Sequence, residues 1–335
     1  MPASKGLKNL IALLLGVFIA FAGLALVDSC FRWYVHIPLQ GILFFPRADV
    51  PDGLGWVAWV PPSGEVRHKK MVGGEVVFDV NYHFDGLYRR ITPFQPQQAV
   101  ERFVVFFGGS NTFGEGLTDE QAIPALVQRE AQSFMVYNYA YMGYGPNQML
   151  AKLESGSLPK EVREPRGIAI YQYLDVHIPR VIGSMSVVRW AGGRHPYYFV
   201  NAQGELEHDG TFATGRFWTT ALYWLLGKSA ILEYLKVELP PRLRPEHYDL
   251  ACRVVKRSRD LFLGQFPGSR FVVVVGLTSG RHDPFVTSCL EAGAFEYLDM
   301  RPEYDGDPGW TYPRDGHLTA KSARLTAEKI LPLLD

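Results

Sequence analysis

Val272-Val273-Val274-Val275 and Phe103-Val104-Val105-Phe106-Phe107 are unbroken apolar runs. Strict alternation marks a strand with one wet face, whereas a continuous apolar run of this length marks a strand covered on both. Strand signals fall at 102–107, 134–139, 167–174, 270–277 and 295–299, and helical ones near 119–132, 146–155, 178–189, 246–265, 283–292 and 319–333. Strand and helix therefore alternate, which predicts an α/β fold built as a doubly wound parallel sheet. Thr118 or Asp119 is the expected cap of the first helix in this region.

Three segments stand outside this rhythm or interrupt it. Residues 31–98 read as a β-rich appendage, with short strands at 56–60 and 75–80 and a turn at Asp85-Gly86. Such an appendage is placed to cover an edge of the main sheet. The main domain occupies 99–335 and is interrupted at about 190–245 by an aromatic insertion containing Tyr197, Trp218, Tyr223 and Trp224. The insertion reads as a lid or substrate shelf, or as an excursion packing a small core of its own.

The third segment is the N-terminus. Lys5 and Lys8 precede eighteen uncharged residues, 10–27, just enough to cross a hydrocarbon core as a helix. Residues 1–30 are expected to be a membrane anchor or an uncleaved signal. The lysines favour a cytoplasmic N-terminus, with a single pass through an inner or plasma membrane and a periplasmic or extracellular body. Ala20-Phe21-Ala22 offers the rival reading, a small-x-small cleavage site, although the apolar run continues past it. Cys30 is a poor lipidation site because Asp28 precedes it. Trp33, Tyr34, Phe44 and Phe45 suit a membrane interface or the underside of the domain.

Lysine plus arginine equals aspartate plus glutamate at 34 each, and no basic stripe is visible, so nucleic acid is not an expected partner. The nine histidines are scattered, and no metal site or cofactor is expected. Gly114-Glu115-Gly116 lacks the Lys-Ser/Thr of a phosphate loop. Three cysteines give no disulfide framework. Cys252 and Cys289 read as buried thiols or, outside the cytoplasm, as a pair.

The residues that carry chemistry lie at the two ends of the α/β stretch. Ser110 ends the strand run 102–107 in Gly108-Gly109-Ser110, and Asp315-Gly316-His317 precedes the last helix. Gly-Gly-Ser alone is often a tight turn, and Asp315 or Thr319 could simply cap a helix. Together, a hydroxyl, an imidazole and a carboxylate are the components of nucleophilic catalysis. In open α/β sheets, ligands bind beyond the carboxyl ends of the strands. The G-x-S-x-G elbow is absent, because Thr112 stands where its second glycine would be.

These blocks resemble the SGNH (GDSL-like) hydrolase superfamily. Gly108-Gly109-Ser110 corresponds to its first block and continues, after Asn111, as Thr112-Phe113-Gly114-Glu115-Gly116, a form seen in membrane-anchored bacterial members. Asn138 to Gly143 fits the second block and Asp315-Gly316-His317 the last, over about residues 100–333. The resemblance implies a flavodoxin-like three-layer fold and a triad of Ser110, His317 and Asp315, with the Ser110 and Gly143 amides receiving the oxyanion. In the third block Leu174 stands where an asparagine donor is normal, leaving Asn147, Asn111 or His177 as replacements. The implied function is an extracytoplasmic serine esterase acting on O-acyl groups of a small molecule, glycan or lipid. The alternatives are an O-acyltransferase acting on envelope polysaccharide and a catalytically degenerate glycan-binding relative.

Overall fold

The computed structural model describes residues 5–34, 64–293 and 295–335. The long apolar helix α1 (Lys5–Tyr34) comes first, followed by an antiparallel hairpin of β1 (Gly64–Val72) and β2 (Glu75–Phe84). The alternating region opens with β3 (Arg102–Phe107), α2 (Ser110–Phe113), α3 (Ile123–Glu130), β4 (Phe134–Asn138), α4 (Pro146–Glu154) and α5 (Leu158–Glu161). It continues through β5 (Arg166–Tyr173), α6 (His177–Ile182) and α7 (Met185–Ala191). The insertion comprises the hairpin β6 (Pro196–Val200) and β7 (Leu206–Thr211), then α8 (Phe212–Gly215), α9 (Phe217–Leu226) and α10 (Ala230–Tyr234). The chain closes with α11 (Pro245–Gln265), β8 (Arg270–Val275), β9 (Glu296–Asp299) and α12 (Ala320–Ile330).

Five strands form one parallel sheet in the order β4-β3-β5-β8-β9. The unbroken apolar runs follow from its two covered faces. Phe103, Val105, Phe107, Val273 and Val275 join a core with α4 and α11, while Val104, Phe106, Val272 and Val274 join a second core with α3 and α12. Successive side chains point to opposite faces, so both sets must be apolar. Phe262 of α11 is fully buried against Phe103, Phe266 and Phe271, so its truncation to alanine should cost about 3–5 kcal/mol. After β3 the chain moves one way to β4, then returns to the other side of β3 for β5. This reversal is the switch point at which α/β sheets open a crevice, and Ser110 lies beside it.

The five strands of the sheet and the helix at 246–265 lie where the sequence places them. The expected helix from 119 begins instead at Ile123. The Asp119 carboxylate is taken by Arg90 and His83, both at 2.7 Å, and Thr118 caps only a short 3-10 turn, Asp119–Gln121. The helix expected over 178–189 breaks at Gly183, whose φ of 57° closes α6. The strand expected at 56–60, with Phe44 and Phe45, lies outside the described residues. The β1–β2 hairpin packs Val66, Tyr82 and Phe84 on Phe113, Tyr141 and Tyr144. It therefore caps the loops leaving β3 and β4. Cys252 of α11 and Cys289 form a disulfide with Cα atoms 5.6 Å apart.

Candidate active site

Ser110 is buried at the first position of α2, immediately beyond the carboxyl end of β3. The turn is tight enough to require glycine at 108, where a Cβ would lie 2.2 Å from Thr112 Oγ1. Thr112 Oγ1 in turn donates to Gln172 Oε1 at 2.7 Å, joining the turn to β5. Fully buried Arg90 braces the far side, donating to the carbonyls of Phe113, Gly114 and Leu117 at 2.7–2.8 Å. These charge-assisted bonds on one side and the neutral Thr112–Gln172 bond on the other hold α2 in place.

The loop before α12 brings the other two residues to Ser110. Its turn is closed by Tyr312 N donating to His317 O at 2.8 Å, with Gly316 at φ 83°, a conformation that suits glycine. Leu318 N donates to Asn111 Oδ1 at 3.4 Å, linking this loop to α2. His317 Nε2 lies 2.8 Å from Ser110 Oγ, and His317 Nδ1 lies 2.7 Å from Asp315 Oδ2. The imidazole is thus aimed at the hydroxyl with the carboxylate behind it.

Two further side chains enter this cluster. Buried Glu115 places Oε2 3.2 Å from His317 Nε2. Lys70 of β1 pairs with Asp315 and sits 3.6 Å from Glu115 Oε1. Burial works against the His317 cation, but the charges and hydrogen bonds of Glu115 and Asp315 outweigh it and lift the imidazole to about 9. Burial likewise opposes ionisation of Asp315, yet His317 and Lys70 hold its carboxyl down at about 2. Sequence reasoning missed both residues. Glu115 was visible in the Thr112-to-Gly116 block, whereas Lys70 carries no local signal and depends on the fold of the hairpin.

The residues expected to replace the missing donor sit in different surroundings. Leu174 is buried, with its Cδ2 2.4 Å from where a Cβ on Gly276 would stand. Asn147 Nδ2 donates to Pro196 O at 2.8 Å and Val181 O at 3.3 Å, joining α4 to the chain around α6 and β6. Asn111 is held through Oδ1 by Leu318 N. His177 is fully buried, and burial together with the Arg180 charge keeps its imidazole neutral. Its Nδ1 lies 2.7 Å from Tyr171 Oη and receives the Leu174 N–H at 3.4 Å. That network assigns the proton to Nε2. Nε2 has no hydrogen-bond partner among the described residues and lies 3.2 Å from where a Cβ on Gly109 would stand.

Arg180 Nη1 donates to Tyr144 O at 2.5 Å and lies 2.7 Å from the same Gly109 position. Burial pulls its guanidinium down to about 10, still cationic at neutral pH. Gly109 has an extended φ of −96°, so its glycine is explained by the side chains crowding it rather than by backbone conformation. Among the described residues, the Ser110 and Gly143 amides have no acceptor in the chain.

No family model matches the chain, and no curated protein matches it. Solved structures do. A lipolytic protein of the G-D-S-L family from Veillonella parvula is 13% identical, with a TM-score of 0.40 over 69% of this chain and 97% of that one. The psychrotrophic esterase EstA from Pseudoalteromonas sp. is 10% identical, with a TM-score of 0.36 over 69% and 95%. A family two carbohydrate esterase from Cellvibrio japonicus is 12% identical, with a TM-score of 0.40 over 72% of this chain and 62% of that one.

Proposed function

We infer that the protein is a serine esterase of the SGNH type, acting on O-acyl groups of a glycan or lipid at a membrane surface. The contact of Ser110 Oγ with His317 Nε2 at 2.8 Å, backed by Asp315, carries this reading. Ser110 Oγ attacks the ester carbonyl carbon while neutral His317 takes its proton at Nε2. The tetrahedral intermediate then expels the alcohol, which receives that proton, and water hydrolyses the acyl-enzyme by the same route. Asp315 and Glu115 both favour the imidazolium formed on the way. The Ser110 and Gly143 amides face the developing oxyanion, and His177 Nε2–H is the third donor in place of the missing asparagine. A buried donor left unpaired calls for a partner, and a substrate oxygen supplies one. Arg180 positions the Gly143–Gly145 turn through Tyr144 O.

Two features support a body outside the cytoplasm on a membrane anchor. One is the apolar stretch of α1 over Ile11–Tyr34, long enough to cross a bilayer. The other is the Cys252–Cys289 disulfide, which fits an oxidising compartment. The paired Ser110, His317 and Asp315 favour catalysis over the glycan-binding reading, whose basis was Leu174. The test is to label the full-length protein with a fluorophosphonate and assay it on acetyl and longer acyl esters, with and without an added oligosaccharide acceptor. Ester release with label on Ser110 is expected. Label elsewhere, or no turnover of any ester, overturns the reading, and acyl transfer to the acceptor in preference to water replaces hydrolase by transferase.

A further inference from the structure

The last helix of the aromatic insertion, α10, and the turn before it dock on α1. The Asp28 carboxylate accepts hydrogen bonds from Ser229 Oγ at 2.6 Å, Ala230 N at 3.0 Å and Ile231 N at 3.1 Å. Asp28 thereby caps the N-terminus of α10 from a distant part of the chain. Arg32 Nη2 donates to Lys228 O at 2.9 Å, and the Phe31 and Tyr234 rings meet edge to face at 5.3 Å.

Beside this junction α9 and α10 present a broad apolar face. Trp218 is 82% exposed, Leu235 62%, and Phe217, Leu222, Leu225 and Tyr234 each more than half. Contiguous exposure of this kind marks an interaction surface. Its position names the occupant. Tyr234 of α10 joins this face to α1 at Phe31, just past the point where the apolar stretch gives way to Asp28, and Leu14, Phe18, Phe21 and Leu24 of α1 are likewise exposed. If α1 spans a bilayer, that level is the boundary between hydrocarbon and headgroups. The composition suits the boundary. Trp218, Trp224 and Tyr234 are aromatics with a polar tip, and Lys228 and Lys236 can extend towards lipid phosphates, with Lys228 Nζ 4.2 Å from the Trp224 ring centre.

We propose that α9 and α10 form an interfacial membrane element, seated in the leaflet at which α1 emerges and held there by the Asp28 cap. This rests on the reading of α1 as a spanning helix. The test places a nitroxide at Trp218→Cys, Leu222→Cys or Leu14→Cys, with Glu205→Cys as a solvent reference, in the full chain carrying Cys30→Ser. Each is reconstituted in phosphatidylcholine–phosphatidylglycerol vesicles. Collision with oxygen, which concentrates in lipid, should exceed collision with a water-soluble nickel chelate several-fold at 218, 222 and 14, and the order should reverse at 205. Nickel access at 218 and 222 with oxygen access at 14 overturns the proposal while leaving the anchor intact. Nickel access at 14 as well overturns the anchor reading and the proposal with it. Shielding of 218 and 222 from both reagents also overturns it, in favour of a protein occupant.

Discussion

Glu115 Oε2 lies 3.2 Å from His317 Nε2, the same nitrogen that faces Ser110 Oγ. A second carboxylate therefore faces the nitrogen that, on the proposed esterase reading, accepts the proton. On that reading it stabilises the imidazolium formed on the way, and it also favours that imidazolium in the resting protein.

This predicts an alkaline activity profile. His317 serves as base only when neutral, and its imidazole is raised to about 9, so kcat/KM should climb with pH through that region. Glu115→Gln removes one negative charge and should move the rising limb down by roughly one to three units. Lys70→Met removes a cation from the same carboxylates and should move it up. The pH dependence of ester hydrolysis by the three proteins checks both directions.

Ser110→Ala and His317→Ala should each abolish turnover, by several powers of ten, with the melting temperature nearly unchanged. Asp315→Asn should retain measurable activity, since the carboxylate orients and stabilises the imidazole without accepting its proton. Single-turnover assays with an activated ester separate the three. A nearly wild-type His317→Ala would assign the base elsewhere.

The third oxyanion donor can be tested by shape-conserving changes. His177→Phe keeps a buried ring but removes the Nε2–H, and kcat should fall by about 10²–10³ with little change in KM. His177→Gln, which retains a donor, should recover part of the loss. Asn147→Ala should leave kcat unchanged and lower stability by about 1–3 kcal/mol, because Pro196 O and Val181 O lose their donor.

Replacing Cys252 and Cys289 by serine should lower unfolding stability by about 2–4 kcal/mol. Chemical denaturation under oxidising conditions measures the difference. Reductant should destabilise the parent protein and leave the double variant unaffected.

The sheet was legible because burial on two faces leaves a mark in each strand separately: Val272 to Val275 can be read without knowing their neighbours. Ser110, Asp315 and His317 were legible because their motifs are local. Lys70 was not, because β1 is a polar strand whose inward set, Val66, His68, Lys70 and Val72, mixes apolar and basic residues and reveals nothing until paired with β2. Asn147 is the opposite case. It sits beside the turn in sequence, but Pro146 opens α4 immediately before it, and its amide donates to the carbonyls of Val181 and Pro196, which no local pattern announces. His177 was one of several polar candidates until its Tyr171 contact fixed the ring and left one nitrogen unpaired.

If α1 is the proposed membrane anchor, the cap that Asp28 places on α10 bears on which substrates the proposed site can meet. Asp28 and Ser229 are 201 residues apart in sequence, yet one carboxylate joins the first helix of the chain to the last helix of the insertion. A body hung from a slack tether sweeps through a range of heights above its membrane. On the proposed reading of α1 as a membrane anchor, a body bolted to its head would work at one altitude and in one orientation. On the proposed esterase reading, acyl groups carried at that height would be within reach however sparse they are, while identical groups farther out along a long chain would not. Selection of this sort would be set by geometry with respect to the bilayer, independently of the pocket around Ser110, and Asp28→Ala would relax it.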